Sequence, residues 1–431
     1  MSTYNRVVAA DSSASLAPTV RARLATEMAD PTSEVGAYLS GTFMTQRARA
    51  VQTVGYLGDS LFPAAGYIHG EGAYWPSTAR SILGMRYDDG IIAGVGSDTS
   101  AQILARVPDV IADPPSICLI HAGVNSIAAG VPATSVISDI NAIVGQLRAV
   151  GIRPVVFTLT PSVYFESATL VEAGKVNNWI KSLPVSQGVK VIDWRSSVVD
   201  FASTTGAWVA AWTSDGVHPN DLGHHILGSR VARDLEPIIT GIPAMVSDAS
   251  TGQGLLSLNP GMTGSGGAKG AGVTGTVPAN WTVNPLGSAT VAASVEPRTD
   301  DVGGNWLKLD VTAGDFVVFT QNLAVGVDWA VGDTVWAETE ILMVTTPVNL
   351  LSIAASLGFW NGLGFTNDST WSVPPGSVLP IVGRPNAFVL RTPLATVPAG
   401  TERLQLFIQT SHGDATTGTY RLGRAAIRKA I

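Results

Sequence analysis

Short apolar runs alternate with segments of helical length along residues 51–235, and this alternation limits the possible folds more than any other feature of the chain. The runs are short enough for buried strands, and the segments between them carry apolar residues at helical spacing. This order is typical of βαβ units in a doubly wound parallel sheet. The predicted strands are 51–57, 91–93, 117–121, 154–159 and 189–194, and the predicted helices are 74–83, 100–107, 133–149, 170–183 and 221–235.

The composition changes after this region. Gly, Ser, Thr and Ala dominate residues 247–275, so we predict a linker over 241–275 that ends an α/β domain of residues 51–240. Short alternating segments separated by turn residues follow, and they predict a β-sandwich over 276–431. Residues 1–50 are predicted to form an arm with helices at 17–28 and 33–44.

The charge balance limits the partners. The 431 residues carry 26 Lys and Arg against 33 Asp and Glu, a net charge of −7, and no long basic block. Nucleic acid is therefore not an expected partner. Two uncharged stretches, 114–138 and 341–367, are interrupted by Pro, Gly and Asn, so we expect no membrane insertion. The single cysteine, Cys118, lies in an apolar run and is expected to be buried and inert.

A serine follows the first predicted strand directly, in Gly58-Asp59-Ser60. Open α/β sheets bind their ligands at the carboxyl ends of strands. A serine hydroxyl is a useful nucleophile only when a base removes its proton. Near the end of the α/β region, Asp215 stands three residues before His218 and can fold back to hold one imidazole tautomer. Ser60, His218 and Asp215 are therefore the predicted catalytic residues.

Attack on a carbonyl also needs hydrogen-bond donors for the oxyanion. Asn125 follows the third predicted strand and can supply its amide, while the turn of residues 94–98 can supply backbone N–H groups. An asparagine after a strand is also common as a turn or helix-cap residue. Both interpretations of Asn125 stay open at this stage.

These four segments resemble the SGNH hydrolase family, also called GDSL-like esterases. The resemblance covers about residues 51–235. It implies a three-layer α/β/α fold in which Ser60 is the nucleophile, His218 the base and Asp215 the residue that orients the base. It implies no metal and no organic cofactor.

The same resemblance implies an oxyanion hole formed by the Ser60 N–H, one N–H of the glycine block, residues 94–100, and the Asn125 amide. In the family a glycine usually precedes the aspartate of that block, whereas here Ser97 does so and Gly96 stands one residue earlier. Either Gly96 or Ser97 can therefore supply the N–H. The family's Asn-Asp pair is Asn125-Ser126 here, and we expect a local change in hydrogen bonding rather than loss of activity.

Other histidines and tryptophans have two interpretations each. His121 is either a packed, hydrogen-bonded residue or a substrate contact, and Trp208 and Trp212 are either core residues or walls of a pocket. His224 and His225 are expected in cap or surface roles, because no metal-ligand spacing accompanies them. Six tryptophans of the C-terminal region suit either an aromatic core or a carbohydrate-binding surface: Trp281, Trp306, Trp329, Trp336, Trp360 and Trp371.

Residues 29–37, Ala-Asp-Pro-Thr-Ser-Glu-Val-Gly-Ala, resemble segments at the start of bacteriophage tail-associated proteins. The resemblance implies a virion-associated or extracellular setting reached without a signal peptide, with the cytoplasm as the alternative. It also implies a homo-oligomer, a trimer in a tail fibre. The leading hypothesis is a serine esterase that removes acetyl or other short acyl groups from a polysaccharide or another small ester. The alternatives are a lipid or aryl esterase and a catalytically silent adhesion protein.

Overall fold

The computed structural model of the chain describes residues 52–63, 74–240, 254–299, 304–312, 315–324, 328–344, 348–361, 366–372, 387–392 and 394–430. The predicted N-terminal arm, with its two helices and the segment 29–37, lies outside these residues. The described residues contain a five-stranded parallel sheet followed by a larger region of strands. The predicted fold class, an α/β domain followed by a β-sandwich region, is confirmed.

The parallel sheet has the strand order β2-β1-β3-β4-β5. All four neighbouring pairs run parallel. The chain leaves β1 towards β2 and then returns past β1 to β3, so its winding direction reverses between β1 and β3. A crevice for ligands opens at the carboxyl ends of the two strands that flank such a reversal. The strands are β1 Gln52–Gly58, β2 Tyr87–Gly94, β3 Ile117–Ile120, β4 Arg153–Phe157 and β5 Lys190–Ile192.

Helices connect these strands, and right-handed crossovers with a reversal place them on both faces of the sheet. Two helices have the predicted bounds, and the predicted helix 100–107 divides into two short ones. The helices are α1 Trp75–Ile82, α2 Ser100–Ala105, α3 Val107–Ala112, α4 Val124–Ala128, α5 Ala133–Ala149, α6 Ser167–Gln187, α7 Arg195–Val198 and α8 Asp221–Leu235. No helix in the described part of the chain combines the length and the apolar character needed to cross a bilayer.

The core of the α/β region lies between the sheet and these helices. All four residues of β3 are buried, as expected for a central parallel strand. Burial raises the pKa of the Cys118 thiol, in agreement with the inert role predicted for it. Helix α8 packs closely on α1, because a Cβ at Gly228 would lie only 2.6 Å from the Trp75 carbonyl oxygen.

The C-terminal region is built around one long strand, β17 Arg403–Lys429. Its first part pairs with β11 and β13, and its second part pairs with β10 and β12. The other strands of this region are β6 Ala268–Lys269, β7 Val273–Gly275, β8 Thr282–Gly287, β9 Thr290–Pro297, β10 Asn305–Thr312, β11 Asp315–Ala324, β12 Thr334–Met343, β13 Val348–Trp360, β14 Thr366–Ser372, β15 Ala387–Arg391 and β16 Ala395–Thr396.

The predicted linker differs from the structure over residues 254–275; residues 241–253 lie outside the described part. Strands β6 and β7 pair with β8 and β9, and Leu256 and Met262 are buried in the second core. Four glycines of this segment, Gly254, Gly267, Gly270 and Gly275, lie where a Cβ would come within about 2 Å of another residue. Gly275 has a φ of +83°, and a Cβ there would lie 2.0 Å from the Ala293 carbonyl oxygen.

The C-terminal tryptophans divide between buried and half-buried positions. Trp281, Trp306 and Trp329 are buried, and the Trp281 ring stacks on Phe319 at 4.4 Å. These three are therefore core residues, while Trp336 and Trp360 are half-buried and the Trp371 side chain lies outside the description.

The burial of His225 predicts that the fold loses stability in acid. This histidine is buried on α8, so the surface role expected for it is wrong, and this burial lowers its pKa to about 4. An unfolded histidine has a pKa of about 6.5, so between these values the unfolded chain binds more protons. The free energy of unfolding therefore decreases as the pH falls through this window, by about 2 kcal/mol between pH 7 and pH 5 from this residue.

We expect His225→Gln to remove this contribution. Urea unfolding of the native protein and the variant at pH 7 and pH 5 measures the difference directly. An equal loss of stability in both proteins would contradict the assignment to His225.

Candidate active site

Ser60, His218 and Asp215 lie together at the carboxyl edge of the parallel sheet. Ser60 Oγ and His218 Nε2 are 2.9 Å apart, and His218 Nδ1 and Asp215 Oδ2 are 2.7 Å apart. Because a carboxylate can only accept, Nδ1 donates to Asp215 and Nε2 is left to accept from the serine hydroxyl. The three predicted residues thus form one hydrogen-bonded chain.

The loop that carries Asp215 and His218 is closed by its own hydrogen bonds. The Thr213 hydroxyl donates to the His218 carbonyl at 2.7 Å and accepts from the Gly216 N–H at 2.8 Å. Gly216 has a φ of +81°, a conformation that glycine adopts most readily. Asn220 then caps α8 by accepting from the Gly223 N–H at 3.0 Å. These contacts close the loop that holds Asp215 next to His218.

The Asp215 carboxylate is stabilised in its charged form. The His218 side chain and the backbone N–H groups of His218 and Val217 donate to it, and these bonds lower its pKa to about 2. Asp215 therefore stays ionised throughout the neutral range.

The turn around Ser60 is held from below by a buried carboxylate. Asp59 Oδ1 accepts from the Leu61 N–H at 3.1 Å, and the Asp59 carbonyl accepts from the Phe62 N–H at 3.1 Å. His121 Nδ1 lies 3.2 Å from the same carboxylate, and its ring stacks on Phe62. His121 is fully buried. It is therefore the packed, hydrogen-bonded residue of the two alternatives, and Ser60 alone of this turn points towards solvent.

The glycine block follows β2 at the same edge. Gly96 and Ser97 are exposed, and among the described residues no acceptor is bonded to either backbone N–H. Ser97 has a φ of +66°. A glycine suits that left-handed conformation better than a serine, which gives a physical reason for the glycine that the family usually has there.

Asn125 lies in the first turn of α4 but does not cap it. Gly123 is the N-cap residue, so the cap interpretation is wrong. The Asn125 Nδ2 group instead donates to the Asp98 carbonyl at 3.0 Å, which ties the asparagine to the glycine block. An amide nitrogen has two hydrogens, so one donor remains.

Residues 56–226 match the model of the GDSL-like Lipase/Acylhydrolase family. This match confirms the resemblance seen in the sequence motifs, and these residues are called the GDSL-like domain from here on. No curated protein matches the chain.

Several solved structures resemble part of the chain. A GDSL-like lipase from Bacteroides thetaiotaomicron VPI-5482 is 20% identical with a TM-score of 0.36, over 46% of this chain and 97% of its own. An acetyl xylan esterase is 20% identical with a TM-score of 0.35, over 41% of this chain and 96% of its own. The enzymatically active domain of tailspike protein 4 from bacteriophage CBA120 is 18% identical with a TM-score of 0.25, over 35% of this chain and 19% of its own.

Ser126, which departs from the family's aspartate, has a clear role in the GDSL-like domain. Its hydroxyl accepts from the Ser100 N–H at 2.8 Å at the start of α2. Ser100 Oγ in turn donates to Asp139 Oδ2 at 2.6 Å. These bonds link Ser126, the residue after Asn125, to Ser100 at the end of the glycine block.

A loop after β4, which no sequence motif indicated, borders the Asp215–His218 loop. The Val163 N–H donates to the Gly216 carbonyl at 3.2 Å, and Trp208 Nε1 donates to the Pro161 carbonyl at 2.8 Å. Trp208 is buried and thus supports this loop from below. Val163 and Tyr164 are 60% and 66% exposed although the loop is held at several points. No periodic pattern marks these two residues, so only the fold identifies them.

The neighbours of His224 and Trp212 define the positions of these two side chains. His224 lies against Tyr74, with ring centroids 4.6 Å apart, and burial lowers its pKa to about 4. Trp212 is half-buried and packs against the core of the GDSL-like domain. Within the described ranges, no cluster of three or more His, Cys, Asp or Glu side chains is arranged to hold a metal ion.

Proposed function

We propose that the GDSL-like domain is a serine esterase that removes short acyl groups, acetyl above all, from a polysaccharide. The observation that carries the proposal is the chain of hydrogen bonds from Ser60 through His218 to Asp215 at an exposed strand end. The match to the acylhydrolase family supports the same reaction class.

In the proposed reaction, Ser60 Oγ bonds to the ester carbonyl carbon as its proton moves to His218 Nε2. The Asp215 carboxylate stabilises the resulting imidazolium. The carbonyl oxygen becomes an oxyanion that accepts from the Ser60 N–H, the Gly96 or Ser97 N–H and the remaining hydrogen of Asn125.

His218 then gives its proton to the oxygen of the departing alcohol, and the ester C–O bond breaks. The acyl group is left on Ser60. A water molecule repeats the sequence, with His218 as the base, and releases the acid.

The surroundings of Ser60 support a large, neutral alcohol component. Ser60 lies at the surface, where a polymer can reach it, and the loops 95–99, 161–165 and 213–219 contain no Lys or Arg. An anionic substrate would have no cationic partner in them. Tyr164 offers an aromatic face beside the Asp215–His218 loop, which suits the apolar face of a sugar ring. The same face would suit an aryl ester, which keeps that alternative as the second candidate.

The setting proposed for this activity is a phage tail, in which the chain would be a homo-oligomer, a trimer in a fibre. The support is the sequence of residues 29–37. The C-terminal β region is proposed to bind the glycan, although the buried tryptophans above belong to its core. The hydrogen bonds that join Ser60, His218 and Asp215 argue against a catalytically silent adhesion protein.

Replacement of the nucleophile tests the reaction. Ser60→Ala should lower the kcat for p-nitrophenyl acetate by about 10⁴-fold or more without loss of melting temperature, because one exposed hydroxyl contributes little to stability. Ser135→Ala, an exposed serine on α5, is the matched control and should be unchanged. Near-normal turnover in a folded Ser60→Ala protein would refute the assignment.

Replacement of Tyr164 tests the substrate class. Tyr164→Ala should raise the KM for an acetylated neutral polysaccharide by about tenfold, the loss of one aromatic contact, while kcat/KM for p-nitrophenyl acetate changes less than about twofold. Val185→Ala on α6, which is 95% exposed, is the control. Equal effects on both substrates would contradict the polysaccharide assignment, and a preference for long-chain lipid esters would favour the alternative.

A further inference from the structure

Arg106 lies between α2 and α3 and reaches back to the carboxyl edge of the sheet. Its Nε and Nη2 lie 2.9 and 2.8 Å from Asp98 Oδ2. Nη2 also donates to the Gly58 carbonyl at 2.8 Å, and Nη1 donates to the Ala93 carbonyl. One guanidinium thus connects the last residues of β1 and β2 with the glycine block.

These partners are the groups that hold the proposed oxyanion donors. Gly58 precedes the Asp59-Ser60 turn, and its carbonyl also accepts from the Val95 N–H at 3.1 Å. Asp98 follows Gly96 and Ser97 directly, and its carbonyl orients the Asn125 amide. The contacts of Arg106 therefore converge on all three predicted sources of oxyanion donors without using any of those donors.

A guanidinium is suited to this role in a way that other side chains are not. Its planar fork can donate to a carboxylate and two carbonyls at once, whereas a lysine ammonium is a single point of charge. The Gly58 carbonyl, which also accepts from the Val95 N–H, and the Ala93 carbonyl lie at the ends of β1 and β2, and Arg106 donates to both.

We propose that Arg106 is a positioning residue for the oxyanion hole, and that it holds Asp98, and through it Asn125 and the Gly96–Ser97 turn, in register with Ser60. This inference rests on the proposed function. Arg106 itself does not touch the substrate. Removal of one oxyanion donor lowers kcat by about 10² to 10³-fold. Because Arg106 acts only through such donors, its replacement should lower kcat by no more than their loss would.

A double-mutant cycle between Arg106 and Asn125 tests the inference. Asn125→Ala alone should lower kcat by about 10² to 10³ with little change in KM. Arg106→Gln alone should lower kcat by about 10- to 100-fold, also with little change in KM. In the Asn125→Ala background, the effect of Arg106→Gln should shrink by at least threefold, because one of the donors it positions is already absent.

Two further variants separate positioning from a purely structural role. Arg106→Lys should recover part of the lost kcat, since an ammonium can still pair with Asp98. Arg230→Gln is the matched control. Its side chain is 21% exposed against 19% for Arg106, and it bonds to Asp234, Ser196 and Ser197. It should lower the melting temperature and leave kcat unchanged.

Independent effects of the Arg106 and Asn125 variants on kcat, or a loss confined to melting temperature, would overturn the inference. If Arg106→Gln does not fold, Asp98→Asn provides the same cycle, because it weakens the Arg106 contact and keeps the carbonyl that orients Asn125. Ser60→Ala is measured alongside. Retained activity there would refute the proposed function itself, whereas an inactive Ser60→Ala with independent Arg106 effects would refute only the role of Arg106.

Discussion

Parallel pairing of β1 with both β2 and β3 is the constraint on which the rest of the site depends. Since the winding reverses beside β1, the residues after these three parallel strands emerge at one edge of the sheet, where such folds bind their ligands. Ser60, the glycine block and Asn125 each follow one of the strands. The Asp215–His218 loop reaches the same edge from the start of α8. Residues far apart in the chain thereby become neighbours.

Rigidity at this edge comes from polar groups that are themselves bonded. The buried Asp59 carboxylate shapes the turn under Ser60, and Arg106 joins the ends of β1 and β2 to Asp98. A buried polar group is costly unless it is hydrogen-bonded, so these bonds favour the observed arrangement of both side chains. These neighbours hold the proposed oxyanion donors in place. Donors that are already in place can act in the transition state without reorganisation.

Local signals in the sequence were sufficient for the sheet, the helices 133–149 and 221–235, and the chain Ser60–His218–Asp215, because periodicity and short motifs act over a few residues. Contacts between residues far apart in the sequence could not be predicted from such local patterns. Arg106 bonds to Gly58, which is 48 residues away in the sequence, and no local pattern indicates this contact. The glycines of 254–275 looked like a linker because the strands that press against them are distant in sequence. His225 looked exposed because its burial depends on the packing of α8.

The central claim is that His218 activates Ser60, and labelling with a fluorophosphonate tests it most directly. Such a reagent bonds covalently to an activated serine oxygen. Peptide mass spectrometry should find one adduct, on Ser60, in the native protein and none on Ser60 in a folded His218→Ala variant. A native protein that gains no adduct, or that is modified at another serine, would contradict the account. So would equal labelling of Ser60 with and without His218.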